Sequence, residues 1–181
     1  MIRISNVTKT FGEVTAVDNF SLDIVSGIYG LVGQNGAGKS TLFRLIAGVY
    51  EQDKGMIMID TFESVTKQAK ELVFFLSDDP YFDRHDNISA MVDFYKNFYQ
   101  IDMNRFNALI KKFELPETGA IRGFSKGMKR QLFIALALSM NVKYLLLDEA
   151  FDGLDPVMRL NFKRTLGKYL CVGLTGVMLL T

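Results

Sequence analysis

The sequence predicts an α/β fold with three parts: a core of parallel strands and helices, a lobe of antiparallel strands, and a helical lobe inserted at about residues 77–140. Three observations support this fold class. A glycine-rich loop at residues 33–40 lies between an apolar run and a helical pattern, which is the strand–loop–helix order of a parallel α/β unit. Residues 2–7 and 16–24 alternate as strands of an antiparallel sheet do. Apolar residues between 88 and 113 recur at helical spacing.

Each remaining element has its own local signal. The apolar run at residues 27–32 predicts a buried parallel strand, and residues 41–47 predict the helix that follows the loop. Ser125 is an N-cap residue in front of an apolar helix that extends to about residue 140. Asp155 and Pro156 are typical of a second helix start. Further strands are predicted at residues 56–60, 72–76 and 177–180.

The glycine-rich loop is the strongest functional signal. Its residues are Gly33, Gln34, Asn35, Gly36, Ala37, Gly38, Lys39 and Ser40, followed by Thr41. Glycines allow the bends that turn backbone N–H groups toward phosphate oxygens, while the lysine supplies a mobile cation and the serine a hydroxyl for Mg²⁺. A chance glycine-rich turn explains a complete eight-residue match less well than a triphosphate site does. The motif alone is compatible with kinases, GTPases, motors and DNA-repair ATPases.

Two carboxylates follow the apolar run at residues 144–147. Asp148 is suited to hold Mg²⁺, usually through water, and Glu149 is suited to polarise the water that attacks the outer phosphate. A core strand that ends in two solvated acids is the alternative. The phosphate loop in the same chain favours the catalytic interpretation.

A basic segment at residues 124–131 lies between these two motifs. An ordinary helix with Ser125 as its cap and a basic first turn explains it without any ligand. Gly127 would allow a ligand to approach the backbone closely. Binding of nucleic acid is a weaker explanation, because one short basic run usually only solvates a surface.

Together these motifs resemble the nucleotide-binding subunit of an ATP-binding cassette (ABC) transporter, and the likeness runs along essentially the whole chain. Residues 125–129 resemble the family signature Leu-Ser-Gly-Gly-Gln, in a form similar to that of bacterial exporters with separately encoded membrane subunits. Residues 152–156 resemble the loop that places Asp155 at the nucleotide. Phe11 occupies the place of the aromatic residue that stacks on adenine.

The resemblance implies an ATPase that powers a membrane transporter. Two copies would pair head to tail and enclose ATP between the phosphate loop of one copy and Ser125 and Gly127 of the other. Glu149 would act on the attacking water, while Ser40 and Asp148 would hold Mg²⁺. The chain would be cytoplasmic and attached to the inner face of the cell membrane through its integral membrane partner.

The sequence departs from the family pattern at two places. Asp78 stands where the family has a glutamine that senses Mg²⁺ and the membrane subunit, and an ionised carboxylate cannot donate the glutamine's hydrogen bond. The family's last core strand continues into a Ser-His pair, whereas this sequence ends at Thr181 and its only histidine is His85. We therefore expect a single cassette domain of residues 1–181 that is truncated before the histidine and turns over slowly.

Composition fits a single globular unit and limits the alternatives. Hydrophobic residues make up 49% of the chain and the net charge is +1, which argues against a polybasic nucleic-acid binder. Cys171 is the only cysteine, so no intrachain disulfide can form. A soluble ABC ATPase unrelated to transport and a nucleotide-binding regulator with little turnover stay open. A small GTPase or kinase is disfavoured, since the Asn-Lys-x-Asp guanine motif is absent from the sequence and the signature-like segment and the Asp155 loop would be unexplained.

Overall fold

The computed structural model describes residues 1–25, 27–83, 86–149, 154, 156–171 and 177–180. These residues form mixed α/β structure in two compact units. The first unit contains Met1–Ser77, Lys143–Asp148 and the last strand, and the second contains Asp78–Val142, Glu149 and the last helix. In chain order the elements are β1 Ile2–Phe11, β2 Val14–Ile24, β3 Gly27–Gly30, α1 Lys39–Ile46, β4 Lys54–Ile59, β5 Phe62–Glu63, α2 Lys67–Leu72, β6 Val73–Leu76, α3 Ile88–Lys96, α4 Met103–Lys112, α5 Lys126–Ser139, β7 Tyr144–Leu147, α6 Pro156–Cys171 and β8 Val177–Leu180.

The first unit contains an antiparallel sheet in the order β2-β1-β4-β5. β1 and β2 form a hairpin through Gly12 and Glu13, and Gly12 has the positive φ (58°) that a tight hairpin turn requires. Alternate residues of β1, among them Ile2 and Ile4, are buried. The period-two pattern in the sequence therefore predicted both strands correctly, because one face of this sheet is packed and the other is solvated.

A parallel sheet in the order β3-β8-β7-β6 completes the first unit. β7 is buried along its whole length, as expected for a parallel strand with a neighbour on each side. The prediction that residues 27–32 are buried is wrong in part, because Ile28 is 47% exposed and Val32 is 95% exposed. β3 lies at the edge of the described sheet, and a short apolar run does not distinguish an edge strand from a central one.

Helix α1 supplies much of the core of the first unit. Its residues Phe43, Leu45 and Ile46 are buried together with apolar residues from both sheets, and the ring of Phe43 meets that of Phe75 edge-on at 6.4 Å. The core thereby fixes the helix that begins in the glycine-rich loop. Helix α2 has no counterpart in the sequence prediction, since six residues are too few to show helical periodicity.

The second unit is helical among its described residues. Ser125 caps α5, as predicted, and its hydroxyl accepts the Met128 N–H at 3.2 Å. Helix α3 is capped by Asn87, whose side chain accepts the Ala90 N–H at 2.9 Å, and it ends at Lys96. Phe98 therefore lies beyond this helix, where it is 61% exposed. No helix among the described residues is both long and apolar enough to cross a membrane.

Candidate functional site

The glycine-rich loop connects β3 to α1 and leaves the start of that helix without a side-chain cap. Gly38 is the N-cap residue, with φ 85° and ψ 4°, and it has no side chain that could accept from the first-turn N–H groups. Its carbonyl accepts the Leu42 N–H at 2.8 Å, so the helix is regular from its first turn. Backbone N–H groups at such an end, together with the helix dipole, attract anions.

Two of the loop glycines are needed for different reasons. Gly36 has φ 83°, and a Cβ built on it meets no atom within 4 Å, so only its backbone conformation requires glycine. A Cβ at Gly38, in contrast, would lie 2.0 Å from the carbonyl oxygen of Ala16 in β2. Gly38 is thus required both for its positive φ and for the close packing of the loop against the antiparallel sheet.

Lys39 folds its side chain back over the loop. Its Nζ donates to the carbonyl oxygens of Gly33 at 2.8 Å and Gln34 at 2.9 Å. An ammonium group has three donors, and these two bonds hold the cation at the loop without neutralising its charge. The loop residues Gly33–Ala37 are exposed, while Ser40 and Thr41 are half-buried.

Asp148 and Glu149 occupy opposite environments although they are adjacent. Asp148 is 0% exposed at the end of β7, and its N–H donates to the Leu76 carbonyl at 2.9 Å. Glu149 is exposed and has φ 49°, a left-handed conformation that is uncommon for residues with a side chain. Such strained residues cluster at functional sites. The chain therefore turns sharply between a buried acid and an accessible one.

Phe11 is the last residue of β1 and is 44% exposed. Its ring meets the ring of Tyr50 edge-on, with centroids 5.4 Å apart and an interplanar angle of 69°. The ammonium of Lys9 lies 5.4 Å from the Phe11 centroid and 2.8 Å from an Asp53 carboxylate oxygen. The exposed part of the ring is a surface on which a planar base can stack.

Ser125, Gly127 and Asp78 lie in the second unit. Ser125 is exposed at the start of α5, and Gly127 is half-buried in its first turn. Asp78 is exposed and lines a cavity of about 90 Å³ together with Phe82, Lys129 and other residues of α5. The predictions for Asp155 and His85 concern positions outside the described residues.

The family model for ABC transporters matches residues 17–152. The chain belongs to the ABC transporter family. The match includes the glycine-rich loop, residues 125–129 and both carboxylates of this ABC chain. Phe11 lies before the matched segment.

Similar proteins agree with this family. The ABC chain is 32% identical over 163 residues to the "ABC transporter ATP-binding protein YtrB" of Bacillus subtilis (strain 168), a match that covers 88% of the chain and 56% of the relative. The chain thus spans little more than half the length of that protein.

Solved structures share the fold of the ABC chain. One is the "Structure of ATP binding subunit of ABC transporter", with a TM-score of 0.89 at 22% identity over 99% of the chain and 78% of the structure. Another is the "Dimeric structure of a post-hydrolysis state of the ATP-binding cassette MJ0796 bound to ADP and Pi", with a TM-score of 0.85 at 22% identity over 100% of the chain and 88% of the structure. The predicted fold class is confirmed.

Sequence reasoning missed the residues that surround Phe11 in this ABC chain. Lys9 is two positions before Phe11 on the same strand, a spacing that places both side chains on one face, so this signal was available. Tyr50 and Asp53 come from the segment between α1 and β4 and carry no motif. Only the folded chain brings them to the ring.

Alanine substitutions at the two loop glycines should lower the free energy of unfolding by different amounts. We expect Gly38→Ala to lower the free energy of unfolding by about 2–5 kcal/mol, because the new Cβ adds a backbone clash to the left-handed strain. Gly36→Ala should cost only about 1–2 kcal/mol, since it introduces the strain alone. Urea unfolding of both variants measures the difference, and equal losses would contradict the role given to the contact with Ala16.

Proposed function

We propose that this chain is the ATP-binding and ATP-hydrolysing part of a membrane transporter. The observation that carries the proposal is the start of α1 at Gly38, which has no side-chain cap, beside a loop whose Gly33 carbonyl holds the ammonium of Lys39. A chain of the ABC family with this loop combines a helix end and a mobile cation, the two features that bind a triphosphate.

Binding would begin with the phosphates at the loop and the base on Phe11. Backbone N–H groups at the loop and the start of α1 would donate to the phosphate oxygens, and Lys39 would reach the outer phosphates. Stacking on an aromatic ring depends on its π-face and not on hydrogen-bond readout, so Phe11 would contribute affinity with little base selectivity.

The oxygen donors present fit Mg²⁺. Ser40 offers a hydroxyl oxygen and Asp148 a carboxylate, which are hard ligands of the kind that Mg²⁺ binds beside substrate phosphates. The complete burial of Asp148 suits this role, because a buried carboxylate needs hydrogen bonds or a cation to offset desolvation. When bound, Mg²⁺ would neutralise charge on the phosphates.

Hydrolysis would use Glu149 on the attacking water. The water oxygen attacks the outer phosphorus, the bond to the ADP oxygen breaks, and Glu149 orients the water and accepts its proton. The second copy's Ser125 and Gly127 would face the outer phosphate, and Asp155 would stand at the nucleotide in the same closed dimer. The Asp78 carboxylate would accept a hydrogen bond from water or coordinate Mg²⁺, and would connect the site to the membrane subunit.

In a transporter, the membrane subunit would contact the second unit of this chain. Tyr81 is 75% exposed, while Phe82 packs on Phe133 with ring centroids 6.2 Å apart. Exposed aromatic side chains are enriched at the centres of protein interfaces. The name of the relative YtrB, an ABC transporter ATP-binding protein, supports the same role. In that role the chain would lie on the cytoplasmic face of the membrane.

Site-specific crosslinking tests this placement. In a Cys171→Ser background, a cysteine at Tyr81 should capture an integral membrane subunit in native membranes. Leu22 in β2, which is 39% exposed, provides the control cysteine and should capture none. Capture of a membrane subunit from position 22 alone would overturn the proposal that this subunit contacts the second unit. Capture of no membrane protein from either position, with MgATP hydrolysis intact, would favour an ABC ATPase unrelated to transport.

A further inference from the structure

The ring of Phe11 is held by the segment that follows α1. Tyr50 meets the ring edge-on at 5.4 Å. Its own N–H donates to the Arg44 carbonyl at 3.2 Å, and the preceding Val49 N–H donates to the same oxygen at 2.8 Å. Tyr50, whose ring contacts Phe11, is therefore hydrogen-bonded to the end of α1, the helix that begins at the phosphate loop.

Asp53 attaches the same segment to β1 by three hydrogen bonds. Its N–H donates to the Thr8 carbonyl at 2.9 Å, and its carboxylate accepts from the Thr10 N–H at 2.6 Å and from Lys9 Nζ at 2.8 Å. The bonded residues are the three that immediately precede Phe11 on the strand. Asp53 thus fixes the β1 backbone next to Phe11 and the ammonium of Lys9, and the position of the Phe11 ring depends on both.

We propose that Tyr50 and Asp53 are positioning residues for the nucleotide base. They fix the Phe11 ring relative to the phosphate loop, so that one nucleotide can place its base on the ring and its triphosphate at the loop. This inference rests on the proposed stacking of the base on Phe11.

Charge supports the role of Asp53. The hydrogen bond from Lys9, followed by the hydrogen bond from the Thr10 N–H, lowers the pKa of the Asp53 carboxyl. The carboxylate is ionised at neutral pH and accepts both hydrogen bonds, and the lowered pKa extends the ionised form to more acidic pH. These bonds weaken only when the pH falls through that lowered value.

Two ligands separate base binding from phosphate binding. MgATP carries both groups, whereas magnesium tripolyphosphate carries the phosphates without a base. Tyr50→Ala and Asp53→Asn should each weaken MgATP binding about two- to tenfold, the size expected for one aromatic contact or one hydrogen bond. Both variants should leave tripolyphosphate affinity unchanged.

A double-mutant cycle tests whether these residues act through Phe11. In a Phe11→Ala background, Tyr50→Ala and Asp53→Asn should have no further effect on MgATP affinity, since there is no ring left to position. Tyr50→Phe keeps the ring contact and should bind as the unaltered protein does. Phe62→Ala removes a partly exposed ring (38%) in β5 and is the matched aromatic control.

The outcomes distinguish this inference from the proposed function. If Phe11→Ala alone leaves MgATP affinity unchanged, base stacking on Phe11 is wrong. A second outcome is that Phe11→Ala weakens MgATP binding, while Tyr50→Ala and Asp53→Asn each weaken it by the same factor with and without Phe11→Ala. Base stacking on Phe11 would then be supported, and the positioning role would be overturned. Loss of tripolyphosphate affinity in Asp53→Asn would also overturn it, because the segment would then support the phosphate loop. Asp53 is partly exposed (41% of its side chain), so its variant remains informative if Tyr50→Ala fails to fold.

Discussion

Lys39→Ala should weaken MgATP binding by about 10²–10⁴-fold. The ammonium would contact at least two phosphate oxygens, and hydrogen bonds between charged groups contribute about 1.5–3 kcal/mol each, with about 1.4 kcal/mol per tenfold change in affinity. The substitution also removes the bonds from Lys39 Nζ to the carbonyls of Gly33 and Gln34. Titration calorimetry or displacement of a fluorescent ATP analogue measures the change.

Charge and geometry at this position can be separated. Lys67 in α2 has a side chain that is 89% exposed, so Lys67→Ala removes the same formal charge without touching the loop and should leave affinity unchanged. Lys39→Arg keeps the charge but replaces a compact ammonium with a planar fork, and should recover only part of the affinity. Near-normal MgATP affinity in Lys39→Ala, with the thermal midpoint also unchanged, would overturn the assignment of the phosphate site.

Glu149→Gln should reduce the rate of ATP hydrolysis by about 10²–10⁴-fold while ATP binding is retained, since a positioned general base contributes a factor of this size. The amide keeps the shape of the side chain but cannot accept the proton of the attacking water. Bound ATP should then accumulate and hold two copies together. Single-turnover phosphate release and light scattering in MgATP measure the two effects, and single-turnover conditions resolve even a slow rate.

The second unit supplies a close control for this substitution. Glu114 is another exposed glutamate with a left-handed backbone, at φ 53°, and it lies two residues after the end of α4, outside the proposed site. Glu114→Gln should leave hydrolysis unchanged. Equal rates in Glu149→Gln and in the unaltered protein would exclude Glu149 as the base, and equal losses of binding and turnover would make it a ligand-binding residue.

The motifs anticipated the local structure of the site because each depends on neighbours in sequence. The Gly38–Lys39 start of α1, the Ser125 cap and the strand before Asp148 are set by φ preferences, side-chain hydrogen bonds and apolar runs within a few residues. The phosphate-loop assignment stays a prediction until ligand binding is measured. The family itself was recognised from the order of these motifs and is confirmed.

Relations between distant residues were decided by tertiary structure. The sequence did not reveal that β3 is an edge strand of the described sheet, because the pairing of a strand depends on segments far along the chain. It did not reveal why Gly38 tolerates no side chain, since the nearest obstacle is the carbonyl of Ala16, which lies in another strand.

By itself the sequence determined the fold class, the family and the kinds of residue at the proposed site, because these follow from local spacing and chemistry. Only tertiary structure placed Tyr50 against Phe11 and Asp53 on β1, since a 5.4 Å ring contact and a 2.6 Å hydrogen bond join segments about forty residues apart. Burial also separated Asp148 from Glu149, two adjacent acids that the sequence shows only as a pair. Asp148 continues the buried run of β7, whereas Glu149, with φ 49°, is exposed to water in the turn that follows.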